Sequence, residues 1–244
     1  MDFGRTGYAF FMVLATISAA WLYRRSDAPS RLTPPQKLGI ALGGFIGATF
    51  SAKLPFILTS DPAAGLLNAW FGDGKTVLWG MAGGYLGVEV AKWSFHVTER
   101  TGDRFVIPVA AAIAIGRLGC LCQGCCYGIA TNQSWGMRSI PADGGEFLRH
   151  PAPLYEFAFH TLFAILAQQG IRRSLATTNW MLLYLISYCL FRFISEWWRE
   201  ERPVFVGLTF YQCSAILFGI LFVVLLATRL MARDRVELAT DAGG

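Results

Sequence analysis

The chain has 244 residues, of which 54% are hydrophobic and only 15% are charged, and its mean hydropathy is positive. This composition argues against a soluble two-domain enzyme and indicates an all-α polytopic membrane protein. The formal net charge of +5 requires no nucleic-acid partner, because basic loops beside anionic lipid explain it.

Seven stretches of the chain are apolar enough to cross a bilayer as helices, each of which needs about 20 apolar residues. They lie near residues 6–23, 38–58, 76–95, 105–126, 152–171, 179–198 and 205–228. Because seven transmembrane helices leave little room for a soluble domain, we expect a single transmembrane domain over residues 1–244. Lys and Arg concentrate in loops on the side of the C-terminus, which predicts an outside N-terminus and a cytoplasmic C-terminus.

The first three predicted spans carry small or polar residues at informative positions. Tyr8 opens the first span, where a tyrosine is typical of the membrane interface. Glycines recur at three- and four-residue spacing in the second and third spans, at positions 39, 43, 44, 47, 80, 83, 84 and 87. Such spacing lets two helix backbones approach closely. Glu89 and Lys92, three residues apart, are predicted to pair.

Arg117 follows an apolar run in the fourth span and is the first candidate functional residue. A charge inside a bilayer is costly, so an intramembrane arginine usually faces a polar partner or a wet cavity. Glycines at positions 116, 119, 124 and 128 surround it, and they allow either close helix packing or approach of a ligand to the backbone. The polar segment 129–150 is too long for a tight turn and is predicted to form an outer flap.

Further polar residues accompany the last three spans. His150, Tyr155 and Glu156 lie at the start of the fifth span, at the membrane interface. Arg192 and Glu196 lie four residues apart at the end of the sixth span, so they share a helix face and are expected to pair. Gln212 lies within the apolar run of the last span.

Two intramembrane arginines, Arg117 and Arg192, suggest a site for an anion. Guanidinium groups hold phosphate through two parallel hydrogen bonds, and in lipid the natural anion is a phospholipid head group. The alternative is that these arginines only tie helices together, through Glu156 or Glu196.

Four of the six cysteines, Cys120, Cys122, Cys125 and Cys126, crowd one segment after Arg117. Their spacing could serve a soft metal, a disulfide or thiol chemistry. The metal signal is weak because no second Cys-x-x-Cys and no paired histidines accompany it, and small packing residues beside glycines are the simpler interpretation. No metal site is therefore predicted.

In order along the chain, these motifs resemble the prolipoprotein diacylglyceryl transferase family. The motifs are Tyr8, Gly83-Gly84, the run from Arg117 to Gly128, His150-Pro151, Leu154-Tyr155-Glu156, Arg192 with Glu196, and Gln212. The resemblance implies transfer of a diacylglyceryl group from phosphatidylglycerol to a cysteine thiol of a secreted lipobox-containing precursor protein. It also implies a multi-pass protein of the bacterial cytoplasmic (inner) membrane that needs no metal or soluble cofactor.

The resemblance implies roles for individual residues as well. Catalytic roles fall to Arg117, Arg192, Glu196, Tyr8 and His150. Substrate-binding roles fall to Gly119, Cys120, Cys125, Gly128, Gly83, Gly84, Tyr155, Glu156 and Gln212. Because phosphate is the leaving group, the arginines would stabilise charge that develops on its oxygens.

Three positions depart from the family pattern. Cys120 and Cys125 stand where the family has Asn and Glu, and Ala82 stands where it has a histidine. Phosphate binding tolerates such changes better than activation of a thiol acceptor does. Besides the transferase, the sequence leaves open a divergent paralogue that binds phospholipid with another acceptor or without catalysis. A thiol-redox or metal membrane protein using Cys120–Cys126 is the third alternative.

Overall fold

The computed structural model describes residues 3–25, 32–59, 65, 67, 70, 74–139, 147–175 and 179–241. Within that part of the chain, seven α-helices dominate a mostly helical fold. They are α1 (Phe3–Arg24), α2 (Pro34–Thr59), α3 (Val77–Ser94), α4 (Gly102–Gln123), α5 (Ala152–Arg172), α6 (Trp180–Ser195) and α7 (Phe210–Asp241). A short 3-10 helix, Glu196–Trp198, continues α6 directly. Each predicted span overlaps one of these helices, although several of the ends differ.

Four of the helices are long and apolar enough to cross a membrane. Their qualifying segments are Gly4–Arg24, Pro34–Leu58, Gly102–Gln123 and Phe210–Ala232. Their outward side chains are largely apolar and exposed, as Val13 and Leu217 illustrate at 60% and 62%. Continuous apolar surface of this kind is typical of a protein that lies in lipid. The chain is therefore a membrane protein.

Two short antiparallel strand pairs interrupt the helices. Strand β1 (Met137–Ser139) pairs with β2 (Phe147–Arg149) inside the predicted flap. Strand β3 (Pro203–Phe205) pairs with β4 (Leu208–Thr209), and the intervening residues 206 and 207 have positive φ angles of 48° and 76°. Such a two-residue loop suits a tight hairpin. Because of this hairpin the last helix begins at Phe210, five residues later than predicted.

The chain divides into two compact units, of which one comprises Pro29–Arg100 and contains α2 and α3. These two helices pack through a face lined by glycines. A Cβ atom added to Gly87 would collide with the carbonyl oxygen of Gly43, and one added to Gly47 would collide with that of Gly83. The glycines are therefore required for backbone contact between the helices. The ion pair predicted within α3 is present: Lys92 Nζ lies 3.1 Å from Glu89 Oε2.

The other unit comprises Met1–Ala28 and Thr101–Gly244. In it α1 packs against α4, α4 against α5 and α6, and α6 against α7. Its interior is rich in aromatic side chains: Tyr184, Tyr188 and Phe222 are fully buried, and the rings of Phe159 and Phe191 stack with centroids 4.5 Å apart. This packing orients the facing sides of α4, α5 and α6, on which the charged residues lie.

Candidate active site: an arginine cluster between helices

Glu156, near the start of α5, is the centre of a group of charged residues. Its carboxylate forms an ion pair with the Arg117 guanidinium of α4, and its Oε2 accepts a hydrogen bond of 3.2 Å from the Tyr188 hydroxyl of α6. Arg199, after the 3-10 helix, places Nη1 3.7 Å from Glu156 Oε1. The Glu156 side chain is only 3% exposed, so these contacts compensate a charge removed from water.

Arg192 is held beside this carboxylate by α6 and its continuation. Its Nη2 lies 2.9 Å from Oε2 of Glu196, one helical turn later, and its guanidinium lies over the Tyr211 ring at 4.9 Å from the centroid. Arg192 also interacts electrostatically with Glu156 and with Arg117. The two arginines singled out from the sequence therefore act on one shared carboxylate.

We call Arg117, Arg192, Arg199, Glu156 and Glu196 the arginine cluster. It contains three guanidinium groups and two carboxylates, which leaves one positive charge in excess. Three of its buried donors, Arg117 Nε, Arg192 Nη1 and Arg199 Nε, have no hydrogen-bond partner among the described residues. Guanidinium donors suit an anion with several oxygen acceptors, such as a phosphate.

The predicted alternative, in which the arginines tie helices together, accounts for part of this geometry. Arg117 and Glu156 join α4 to α5, and Arg192 pairs with Glu196 as the four-residue spacing predicts. A purely structural tie would use the available donors and balance the charges. It leaves the unpaired donors and the excess charge unexplained, although Arg104 Nε, Arg149 Nε and the carboxylate oxygen Glu196 Oε2 also lack a hydrogen-bond partner among the described residues.

Tyr8 lies next to the arginine cluster because α1 packs closely on α4. A Cβ atom on Gly119 would lie 3.2 Å from Phe11 Cβ and 3.4 Å from Cδ2 and the carbonyl oxygen of Tyr8, so the two helices are in close contact here. Tyr8 interacts electrostatically with Arg117 and Cys120. Cys120 itself accepts a long contact of 3.8 Å from Arg117 Nη1. Four predicted site residues are thus brought together at the end of α4.

His150 and Tyr155 form a separate group at the flap. His150 Nδ1 lies 2.9 Å from the Tyr155 hydroxyl, which also accepts a 3.0 Å hydrogen bond from Trp135 Nε1. Gly128 donates its N–H to the His150 carbonyl at 2.8 Å, and a Cβ atom there would collide with the Trp198 carbonyl oxygen. Close backbone contact therefore explains the glycine at position 128.

Gln212 caps a helix in this structure. The Thr209 N–H donates to Gln212 Oε1 at 3.0 Å, and the Gln212 N–H donates to Thr209 Oγ1 at 3.2 Å. This reciprocal arrangement is a capping box for α7, which begins immediately after Thr209. Gly83 and Gly84 belong to the other unit, where a Cβ atom would press on Ser51 or Ala48, so helix packing accounts for both.

Sequence reasoning missed three residues of this region: Arg199, Tyr188 and His160. His160 is fully buried, and its Nδ1 lies 2.7 Å from the Tyr184 hydroxyl. The sequence pattern could have found Tyr188 and His160, because polar residues recur every four positions along α6 and its 3-10 continuation, at 184, 188, 192 and 196, and twice along α5, at 156 and 160. A polar stripe of this period on an apolar helix indicates a buried polar face.

The chain matches known proteins over nearly its whole length. A family model described as prolipoprotein diacylglyceryl transferase matches residues 3–228. Similar relatives carry the name phosphatidylglycerol–prolipoprotein diacylglyceryl transferase. The protein of Chlorobaculum tepidum is 32% identical over 193 residues, which cover 74% of this chain and 66% of that protein.

In two further relatives of the same name, the matched region covers a larger share of the relative. That of Coxiella burnetii (strain Dugway 5J108-111) is 31% identical over 214 residues, covering 79% of this chain and 77% of the relative. That of Nitratidesulfovibrio vulgaris is 32% identical over 251 residues, covering 91% and 89%. The chain belongs to the prolipoprotein diacylglyceryl transferase family.

Proposed function

We propose that this protein transfers a diacylglyceryl group from phosphatidylglycerol to the cysteine thiol of a secreted lipobox-containing precursor. The observation that carries the proposal is the arginine cluster, whose unpaired buried donors and excess positive charge suit the phosphate of a lipid head group. The names of the relatives describe the same donor and the same class of acceptor.

The reaction transfers one proton, forms one carbon–sulfur bond and breaks one carbon–oxygen bond. The acceptor thiol loses its proton to a base, and its sulfur forms a bond to the glyceryl carbon of the donor. The bond between that carbon and a phosphate oxygen breaks, and its electron pair leaves with the phosphate as glycerol phosphate. Catalysis requires positive groups that meet the charge developing on the phosphate oxygens.

We assign catalytic roles to five residues. Arg117 and Arg192 hold the phosphate, and Glu196 orients Arg192. Tyr8 is assigned because it lies beside Arg117. His150 is assigned because an imidazole can accept the proton that the acceptor thiol loses. Substrate-binding roles are proposed for Gly119, Cys120, Cys125, Gly128, Gly83, Gly84, Tyr155, Glu156 and Gln212.

We further propose a single domain over residues 1–244 with seven transmembrane helices in the bacterial inner membrane. The positions of Lys and Arg support an outside N-terminus and a cytoplasmic C-terminus. This orientation puts the end of α4 and the flap on the outer side, where a secreted precursor would arrive.

The test is an assay of the purified full-length chain with phosphatidylglycerol labelled in its head group and a lipobox peptide. We expect labelled glycerol phosphate and a diacylglyceryl mass increase on the peptide, both lost in Arg117→Gln and Arg192→Gln. The matched control is Arg172→Gln, since Arg172 is an exposed residue at the end of α5. Lipid binding that depends on Arg117 without release of glycerol phosphate would instead assign a lipid-binding protein without turnover.

A further inference from the structure

The end of α4 brings three cysteine sulfurs together. The Sγ atoms of Cys120, Cys125 and Cys126 all lie within 4.8 Å of one another, and those of Cys125 and Cys126 are 3.6 Å apart. We call these residues the thiol cluster. Cys122 belongs to the same run of sequence but packs on α1 instead, with its Cβ and Sγ against Gly7.

Helix termination accounts for the contact between two members of the thiol cluster. Gly124 has a φ of 71° and ends α4. Its N–H bonds to the Leu121 carbonyl at 3.2 Å, and the Cys125 N–H bonds to the Cys120 carbonyl at 3.1 Å. In this Schellman arrangement the side chains at the positions of Cys120 and Cys125 usually make an apolar contact. Small thiols satisfy that requirement by packing alone.

Cys126 has no such explanation. Its φ of 65° places it in the left-handed region, which is costly for a residue with a Cβ atom and is found disproportionately at functional sites. In this conformation its sulfur adjoins the other two. All three cysteines are at least partly exposed, so an ion can approach the thiol cluster from solvent.

The spacing of the three sulfurs suits the ligand set of a thiophilic metal ion. A Zn–S bond is about 2.3 Å long, which puts sulfurs around a tetrahedral ion about 3.8 Å apart. A disulfide would use only two of the three sulfurs. One between Cys125 and Cys126 would be strained, because adjacent Cα atoms are about 3.8 Å apart whereas disulfides usually join Cα atoms about 4.4–6.8 Å apart.

Positive charge near the thiol cluster favours the thiolate form that binds metals. The Arg117 Nη1 atom lies 3.8 Å from Cys120 Sγ.

We propose that Cys120, Cys125 and Cys126 bind a thiophilic d10 cation, Zn²⁺ or Cu⁺, through their three sulfurs. Thiolate ligands select these ions over oxygen-seeking cations such as Mg²⁺. Three protein ligands leave the fourth position of a tetrahedral ion open to water or an external thiolate. This site goes beyond the transferase function, although it shares Cys120 and Cys125 with the substrate-binding residues proposed above.

The experiment uses the full-length chain in detergent, reduced and stripped of metal by a chelator. Titration with Cd²⁺ is followed by the ultraviolet charge-transfer absorption of thiolate–Cd²⁺ bonds, and Zn²⁺ and Cu⁺ are then added as competitors to decide between the two ions. We expect one ion per chain. Cys126→Ser and Cys125→Ser should each weaken binding at least about 10-fold. Substituting even a residue that only supports a metal ligand lowers metal affinity by about that factor.

Cys122→Ser is the matched control and should bind the ion as the unmodified chain does. Gel filtration and circular dichroism check that each variant is folded. If Cys126→Ser does not fold, Cys125→Ser is the variant whose affinity is compared with that of Cys122→Ser. Failure of the reduced chain to bind any of the three ions would overturn the proposal. So would an equal loss of affinity in Cys122→Ser and Cys126→Ser. Neither result bears on glycerol phosphate release, which is measured separately.

Discussion

The glycines between α2 and α3 and the charged residues of the arginine cluster are both conspicuous in the sequence. Within a membrane protein they are accommodated in opposite ways. Between α2 and α3, glycines such as Gly43 and Gly87 remove side chains until backbone meets backbone. In the arginine cluster, long charged side chains converge on Glu156 and keep donors without partners among the described residues. Small residues in a membrane helix therefore indicate packing, whereas buried charge in excess of its countercharge indicates a ligand.

The strongest test of this contrast removes a cation from the arginine cluster. Arg117→Gln should lower the transfer rate about 10²–10³-fold, the usual effect of deleting one donor to a developing negative charge. The rate is measured as glycerol phosphate release under saturating donor.

A double variant separates catalysis from stability at the same position. Arg117→Met with Glu156→Met removes both members of this ion pair, so the melting temperature should fall less than in either single variant, even though Arg199 and Tyr188 lose their contacts with Glu156. Transfer should still be lost. Full transfer by a folded double variant would show that the ion pair is only a tie between α4 and α5.

Substitutions in the glycine contact between α2 and α3 should change the stability of the protein rather than the transfer reaction. Gly87→Ala places a Cβ atom against the Gly43 carbonyl oxygen, and overpacking of this kind lowers the free energy of unfolding by about 1–3 kcal/mol. Thermal unfolding in detergent measures it. Gly80→Ala is the control, because its Cβ atom would be 3.3 Å from the nearest side-chain carbon and should cost less. Equal melting temperatures would contradict the backbone-contact explanation.

A smaller effect is expected from the hydroxyl that contacts Glu156. Tyr188→Phe removes the 3.2 Å hydrogen bond to this carboxylate, and hydrogen bonds to charged groups contribute about 1.5–3 kcal/mol. Transfer should fall about 10-fold if the carboxylate positions Arg117. Tyr184→Phe is the matched control, since its hydroxyl bonds His160 instead, and comparable rates for the two variants would argue against a positioning role.

The smallest predicted change concerns Gln212. Gln212→Ala breaks the capping box with Thr209 and should lower the free energy of unfolding by about 1 kcal/mol. Gln212→Glu keeps an acceptor for the Thr209 N–H and should restore the lost stability. An unaltered melting temperature together with a raised KM for phosphatidylglycerol would support the proposed substrate-binding role of Gln212 and argue against the capping role.

The helices could be predicted from the sequence because each lies in a long apolar stretch, and four of the described helices are long and apolar enough to cross a membrane. All seven predicted segments are helical, and their ends shift where local backbone chemistry intervenes. Gly124, in the left-handed region, ends α4 at Gln123, three residues before the predicted boundary. Apolarity alone did not separate the β3–β4 hairpin from the last helix.

The site was predictable only in part, because side-chain convergence depends on how helices face one another. Spacing within one helix correctly paired Arg192 with Glu196. Pairing between helices left Glu156 and Glu196 as alternatives, and no spacing pattern singled out Arg199. The meeting of Cys126 with Cys120 and Cys125 requires a left-handed backbone at a residue other than glycine, which composition does not predict.

The single excess positive charge of the arginine cluster also bears on what happens after the chemistry. Phosphatidylglycerol is a phosphodiester with one negative charge, so the bound donor would bring the cluster to neutrality. Glycerol phosphate is a monoester, and at neutral pH such a group carries about 1.5–2 negative charges. The site would then hold surplus negative charge beside two carboxylates, and repulsion would help to expel the product before the next lipid arrives.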